Sequence, residues 1–376
     1  MSDPTKSERA WLVLADGTTF EGRPFGAREA TAGEAVFTTA LTGYQEIISD
    51  PSYCDQIVVM TTPHIGNVGM NRQDHESTSA KPSLAGLVVR DRSTLFSNWR
   101  AEHSLDQYLC DHGIAGITEV DTRKLTRHLR DHGTQNGAFG CQPPEQLLEI
   151  ARKAPNPEGL NLVHKVTCSA PYAWTEGNGL WALPFCKNDL HVVVLDLGVK
   201  RNLLRSLVDM GCRVTVVPAF TSGEEILSFA PDGILLSNGP GDPAVLEKPT
   251  ETIRFLLGKK PIFGVCLGHQ LLTQALKGKT YKLKFGHRGC NQPVRDKATG
   301  RIEITSQNHG FCVDLQSLPS DVISTHIHLN DGTSEGLAVP SLKTFSVQYH
   351  PEASAGPHDS LYLFHRFSDL MTSVRP

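Results

Sequence analysis

The pattern of hydrophobic residues changes character near residue 190. Before that point, short apolar runs are separated by turn residues, as in residues 11–14, 35–37, 56–60 and 85–89. Such runs predict short strands. The Asp16-Gly17 pair predicts a hairpin turn after the first run. Residues 121–130 predict a helix that begins with Asp121-Thr122 and is closed by Gly133.

Beyond residue 190 the apolar runs are continuous and alternate with helical stretches. The runs cover residues 191–195, 213–217, 233–236 and 261–265, and the helical patterns include residues 202–210 and 250–257. Strands that are apolar on both faces and alternate with helices predict a parallel sheet covered on both sides. The predicted fold class is therefore α/β: a C-terminal doubly wound, mostly parallel, flavodoxin-like sheet, preceded by a smaller β-rich α+β domain.

These changes of pattern predict three segments. Residues 1–152 form the N-terminal β-rich domain, residues 153–189 an interdomain connection, and residues 190–376 the α/β domain. The connection is rich in Pro, Gly, Asn and Trp and shows no sustained periodicity. Because Trp174, Leu180 and Trp181 are expected to be buried, we predict a packed connection rather than a free linker.

The segment with the clearest chemistry is residues 261–272, which read PIFGVCLGHQLL. An apolar strand runs into a helix through Gly264-x-Cys266-x-Gly268, the cysteine counterpart of the nucleophile elbow. The glycines allow the strand and helix to approach while the turn holds Cys266 under strain. The start of the helix favours a thiolate over a thiol. The alternative, a buried structural cysteine, does not account for the flanking glycines.

A cysteine nucleophile needs a base and a group that orients the base. Residues 348–352, QYHPE, follow an apolar alternation and offer both. In an extended segment, side chains two residues apart lie on the same face. His350 is therefore predicted to reach Cys266 while Glu352 holds the other ring nitrogen.

Acyl transfer also needs donors for the oxyanion. The N–H of Leu267, directly after the nucleophile, supplies one, and the loop that contains Gly239 and Gly241 could supply another. The same loop matches G-x-G-x-x-A, a dinucleotide fingerprint. We reject that interpretation because Pro240 and Pro243 remove amide donors and the loop follows the third strand rather than the first.

Other ligand sites are not expected in the chain. His326-x-His328 and the pair His128 and His132 have metal-compatible spacing, but neither has a nearby cysteine or an obvious third ligand. No metal site is therefore predicted. The chain also shows no recognisable phosphate-binding loop.

Composition narrows the partners and the compartment. The chain has 376 residues, enough for two or three domains, and a formal net charge of −4, which gives no reason to expect nucleic acid. No apolar run is long enough to span a membrane, and the first residues lack a signal-peptide core. Nine widely spaced cysteines without a C-x-x-C pair indicate a reducing, cytoplasmic environment.

Several of these stretches together resemble a known family. Residues 237–243 (SNGPGDP), 264–270 (GVCLGHQ) and 350–354 (HPEAS) look like the three signatures of the class I, or triad, glutamine amidotransferases. Residues 42–53, 63–69, 121–127 and 284–287 resemble the small chains of carbamoyl-phosphate synthetases. The resemblance covers nearly the whole chain and is weak only at the start and in residues 153–189.

The resemblance implies hydrolysis of L-glutamine to glutamate and ammonia through a γ-glutamyl thioester on Cys266, with His350 and Glu352 completing the triad. It implies that the substrate is held by Ser52, Gly239, Gly241, Leu267, Gln270, Asn308, Gly310 and Phe311. Ser52 would be the one contact supplied across the domain boundary. The family's ammonia passes to a separate large chain that uses ATP, magnesium and bicarbonate, so no cofactor is expected in this chain. The resemblance implies that the product, carbamoyl phosphate, serves arginine and pyrimidine biosynthesis, and the sequence leaves open whether it serves one pathway or both.

Two other functions compete with this one. One is an amidotransferase of the same class in anthranilate or GMP synthesis, which the β-rich region of roughly 190 residues before the catalytic domain disfavours. The other is a binding or scaffold protein in which the site is vestigial. Release of glutamate from glutamine distinguishes that function from an enzyme.

Overall fold

The structure is a computed structural model that describes residues 8–79, 81–156, 158–182 and 189–374. The chain divides into two compact units, Met1–Glu158 and Gly159–Pro376. This division falls inside the connection predicted at residues 153–189. Of that connection, residue 157 and residues 183–188 lie outside the described residues.

The N-terminal unit is built mainly from short strands. Its strands are β1 (Ala10–Leu14), β2 (Thr19–Gly26), β3 (Thr31–Thr38), β4 (Gln56–Met60), β5 (His64–Ile65), β6 (Gly86–Val88), β7 (Asp91–Arg92), β8 (Ala115–Thr118) and β9 (Gln135–Gly140). Its helices are α1 (Tyr44–Ser49), α2 (Leu105–His112), α3 (Thr122–His132) and α4 (Pro144–Lys153). Seven strands close into a barrel in the order β1-β2-β8-β6-β4-β3-β9.

Local sequence signals explain two features of this unit. Strands β1 and β2 pair antiparallel around the predicted turn, where the Asp16 carboxylate accepts a hydrogen bond from the Thr18 N–H at 2.8 Å. Helix α3 begins where Asp121 accepts from the Lys124 N–H, and it ends at Gly133. The structure therefore confirms the predicted hairpin and helix. Both were predictable because each is specified by residues adjacent in sequence.

The C-terminal unit contains the larger sheet. Its strands are β10 (Tyr172–Trp174), β11 (His191–Asp196), β12 (Arg213–Pro218), β13 (Gly233–Leu236), β14 (Ile262–Val265), β15 (Lys279–Asp296), β16 (Ile302–Asp314), β17 (Ile323–His328), β18 (Ser334–Val339) and β19 (Thr344–Val347). Its helices are α5 (Val163–Val166), α6 (Arg201–Asp209), α7 (Gly223–Ser228), α8 (Glu247–Leu256), α9 (Leu267–Ala275) and α10 (Tyr362–Thr372).

The ten strands form one sheet in the order β10-β12-β11-β13-β14-β19-β18-β17-β15-β16. Strands β12, β11, β13, β14 and β19 are parallel, and the remaining pairs are antiparallel. The α/β fold class is confirmed. The antiparallel strands β15 to β18 extend the sheet beyond β19, which is the outermost of the parallel strands.

Both faces of the parallel strands are buried. Val192 and Val194 pack into one apolar cluster, while Val193 and Leu195 pack into a second cluster on the opposite face. This two-sided burial explains why the strands are continuous apolar runs rather than alternating ones. Because these strands run parallel, their carboxyl ends all lie at the same edge of the sheet.

The expectation of burial in the connection was wrong for two of its three apolar residues. Leu180 is 90% exposed and Trp181 is 67% exposed, both in a single 3₁₀ turn. Trp174 is half-buried because strand β10 pairs with β12 at the sheet edge, and its indole N–H donates to the Glu176 carbonyl. Apolar character alone therefore did not identify which side chains the unit covers.

None of the helices described here combines the length and apolar character that crossing a membrane requires.

Candidate active site

Cys266 lies at the carboxyl end of strand β14, directly before helix α9. Its φ of +53° is in the left-handed region, which is uncommon for a residue other than glycine. A Cβ on Gly264 would lie 2.9 Å from the Gly268 carbonyl oxygen, and a Cβ on Gly268 only 2.3 Å from that of Leu236. The two glycines are therefore required by the close approach of strand and helix, as in a nucleophile elbow.

The thiol of Cys266 is buried and directed at strand β16. Cys266 is 2% exposed, and its Sγ lies 3.6 Å from the Asn308 carbonyl oxygen. Its backbone N–H donates to the Val347 carbonyl at 2.9 Å, which ties the turn to strand β19. The chain that continues from β19 leads within a few residues to His350.

His350 and Glu352 form a buried pair beside the cysteine. The Nδ1 of His350 lies 2.7 Å from Glu352 Oε1, and the His350 N–H donates to the Ser306 carbonyl. Burial by itself lowers the pKa of His350, but Glu352 and the neighbouring Cys266 raise it to about 10. Because Nδ1 is engaged with Glu352, Nε2 is the ring nitrogen available to the thiol.

A buried lysine that the sequence reasoning missed completes this cluster. Lys200 Nζ lies 3.2 Å from Glu352 Oε1, and both side chains are almost fully buried. Burial raises the pKa of Glu352, but Lys200 and His350 outweigh it and lower the pKa to about 2. The Lys200 N–H donates to the Asn238 side chain, so the 237–243 loop positions the lysine. The available sequence signal was its place after strand β11, at the ligand-binding edge of the sheet.

The two segments predicted to supply the oxyanion donors pack against each other. Leu267 is the first residue of helix α9, so its N–H has no preceding helical turn to bond. A Cβ on Gly239 would lie 2.9 Å from the Leu267 side chain and 2.1 Å from the Leu197 carbonyl oxygen. Only glycine allows the 237–243 loop to pack this closely beside the elbow.

The predicted substrate contacts Asn308, Gly310 and Phe311 lie on strand β16, and residues 308–311 are called the substrate wall below. The Gln270 amide donates to the Phe311 carbonyl at 3.0 Å and to Gln348 Oε1 at 3.1 Å. Both N–H groups of Gln270 are thus used within the protein, which leaves its side-chain oxygen as the group that can accept from a ligand. Beside Gly310, the nearest atom to an added Cβ would be a guanidinium nitrogen of Arg288, at 3.3 Å.

Two predicted contacts are placed differently from the others. Gly241 has a φ of +92°, and a Cβ added there would lie against Leu160 and Leu162. Ser52 belongs to the N-terminal unit, where it is buried in a 3₁₀ turn and its N–H donates to the Asp50 carboxylate. The predicted roles of both residues in binding glutamine therefore stay predictions.

Both parts of the chain match models of known protein families. Residues 12–139 match the family model for the carbamoyl-phosphate synthase small chain, CPSase domain, and residues 193–370 match that for glutamine amidotransferase class-I. The carbamoyl phosphate synthase small chain of Syntrophotalea carbinolica is 54% identical over 98% of this chain and 99% of its own length. The small chain of a Nostoc species is 52% identical over 97% and 96%, respectively.

A chloroplastic small chain from Oryza sativa subsp. japonica is 47% identical over 99% of this chain and 84% of its own length. The similarity thus extends through both units and is not limited to the amidotransferase signatures. The chain belongs to the carbamoyl phosphate synthase small chain family and carries a class I glutamine amidotransferase domain.

Proposed function

We propose that this chain hydrolyses L-glutamine at Cys266 and supplies the ammonia to a carbamoyl phosphate synthetase large chain. The observation that carries the proposal is the buried cluster in which Cys266, on a strained elbow, adjoins a histidine held by Glu352. A structural cysteine would need neither the left-handed backbone nor the ion-paired histidine.

In the proposed reaction, Cys266 attacks as a thiolate while His350 holds the proton. The C–S bond forms at the side-chain amide carbon, and the N–H groups of Leu267 and the Gly239 loop stabilise the oxyanion. His350 Nε2 then protonates the leaving nitrogen, the C–N bond breaks, and ammonia departs. Water, deprotonated by His350, attacks the thioester and releases glutamate and the free thiol.

The substrate would be held by the wall and by the elbow helix. The free oxygen of Gln270 suits the α-ammonium group of glutamine, and Asn308, Gly310 and Phe311 would line the rest of the pocket. Gly241 and Ser52 are proposed as further contacts, following the family pattern. The chain itself would need no cofactor, because ATP, magnesium and bicarbonate would bind the large chain.

We further propose a cytoplasmic location and a role in arginine and pyrimidine biosynthesis. The eight described cysteines form no disulfide with one another, as expected of a reduced compartment. The relatives named above are carbamoyl phosphate synthase small chains, and the proposed pathways follow from membership of that family.

The proposal is tested by measuring glutamate release from glutamine by the full chain, alone and with a large chain from one of these relatives. We expect slow release alone and faster release in the complex, together with carbamoyl phosphate formation when ATP and bicarbonate are added. A scaffold protein would release no glutamate in either condition, and that result would refute the proposal.

A further inference from the structure

Behind the substrate wall, three buried side chains from three strands converge. His287 lies on β15, directly opposite His309 on β16, and Glu335 lies on β18. His287 is 8% exposed, His309 4% and Glu335 0%. One potential ligand atom from each lies within 4.8 Å of the others. None of the three belongs to the catalytic cluster described above.

In both His287 and His309, one ring nitrogen lies at hydrogen-bonding distance from an acceptor outside the cluster. His287 Nε2 lies 2.8 Å from Asp331 Oδ2, and His309 Nδ1 lies 2.8 Å from the Phe311 carbonyl oxygen. An acceptor at one ring nitrogen holds the proton there and leaves a lone pair on the other. Histidines that bind metals show this arrangement, with the outer N–H donated to a carboxylate or a backbone carbonyl.

The remaining atoms of the cluster are all acceptors. Glu335 Oε1 lies 3.7 Å from His287 Nδ1, and within the described chain neither Glu335 carboxylate oxygen makes a hydrogen bond. His309 Nε2 faces Gln307 Oε1 at 3.0 Å, although neither atom carries a proton in this arrangement. Exchanging the oxygen and nitrogen of the Gln307 amide would only move the conflict to Thr305, whose hydroxyl donates to the Gln292 carbonyl.

From this convergence of lone pairs, we infer that His287, His309 and Glu335 bind a divalent transition-metal ion of the Zn²⁺ type, with Gln307 Oε1 beside them. Two imidazoles and one carboxylate are a common ligand set for such ions. The ion would link β15, β16 and β18 directly behind Asn308 and Gly310. It would therefore stabilise the wall without touching the substrate.

A proton on His287 is the alternative occupant of the cluster. Burial lowers the pKa of His287, but the hydrogen bond to Asp331 and the negative charges of Asp331 and Glu335 raise it to about 9. That proton would satisfy His287 Nδ1 and Glu335, yet it would leave His309 Nε2 and Gln307 Oε1 facing each other. The metal ion accounts for all four groups.

The test is a calorimetric titration of the chelator-treated full chain with Zn²⁺, in a Cys266→Ala background so that the active-site thiol is absent. We expect the Glu335→Gln variant to bind one equivalent less than its parent. Asp331→Asn, which leaves the three ligands in place but weakens the acceptor that orients His287, should weaken the same site by about 10–100-fold. Zn²⁺ should also raise the Tm of the parent and not that of Glu335→Gln.

Two control variants make the assignment specific. His328→Gln removes the other histidine near Asp331, and His132→Gln removes an exposed histidine of helix α3; both should bind as the parent does. If Glu335→Gln does not fold by circular dichroism, the affinity of Asp331→Asn decides. Equal binding by the parent and by the variants of Glu335 and Asp331 would overturn the inference, as would loss of the equivalent in His328→Gln.

Discussion

The Cys266→Ser variant should release glutamate from glutamine at a rate that is lower by about 10⁴-fold or more. The substitution removes the nucleophile of the proposed triad, whose three members act together. In complex with a large chain, the same variant should still make carbamoyl phosphate from ammonium salts. The hydroxyl replaces the thiol at nearly the same size, so the elbow should keep its fold. The measurement compares initial rates with glutamine and with ammonium chloride.

Cys212→Ser is the matched control, since Cys212 is also a buried cysteine of the C-terminal unit but directly precedes strand β12 and is not part of the proposed triad. Its glutamine-dependent rate should stay close to that of the unaltered chain. If Cys266→Ser complexes also failed with ammonium salts while remaining assembled, the proposed division of labour between the two chains would be wrong.

Replacing Lys200 with Met should destabilise the C-terminal unit by up to about 5 kcal/mol, because the buried Glu352 would lose one of its two cationic partners and keep only His350. In the unaltered chain the lowered pKa of Glu352, about 2, contributes stability above pH 4.5 that is lost as the pH falls toward 2. The variant lacks the part of this contribution that Lys200 supplies. The difference in unfolding free energy should therefore narrow as the pH falls from neutral, which urea denaturation at several pH values would measure.

A double-mutant cycle separates the ion pair from simple packing. Glu352→Gln in the Lys200→Met background removes the buried charge that Lys200 no longer compensates and should restore part of the lost stability. It should not restore glutaminase activity, because His350 would still lack its carboxylate. If the two substitutions were additive in stability, Lys200 would not act through Glu352.

The sequence was most informative where function depends on neighbouring residues. The elbow at Cys266 was predictable because its glycines, strand and helix lie within about ten residues, and the structure shows why both glycines are needed. The same holds for His350 and Glu352, whose spacing of two residues places them on one face. The parallel strands were predictable because burial on both faces leaves continuous apolar runs.

The features that were missed depend on tertiary contacts. Lys200 is more than 150 residues from Glu352, and nothing in its local sequence marks it as buried. The cluster of His287, His309 and Glu335 comes from three strands whose register the sequence does not specify. The closed barrel likewise depends on long-range strand pairing. Short apolar runs predict the individual strands but not which strands pair.

The central claim is that glutamine becomes covalently bound to Cys266, and acid quenching of the complex during turnover tests it most directly. Digestion and mass spectrometry of the quenched protein should find one glutamyl group on the peptide that contains Cys266, and none after Cys266→Ser substitution. Steady release of glutamate with no adduct, or with the adduct on another cysteine, would contradict the account.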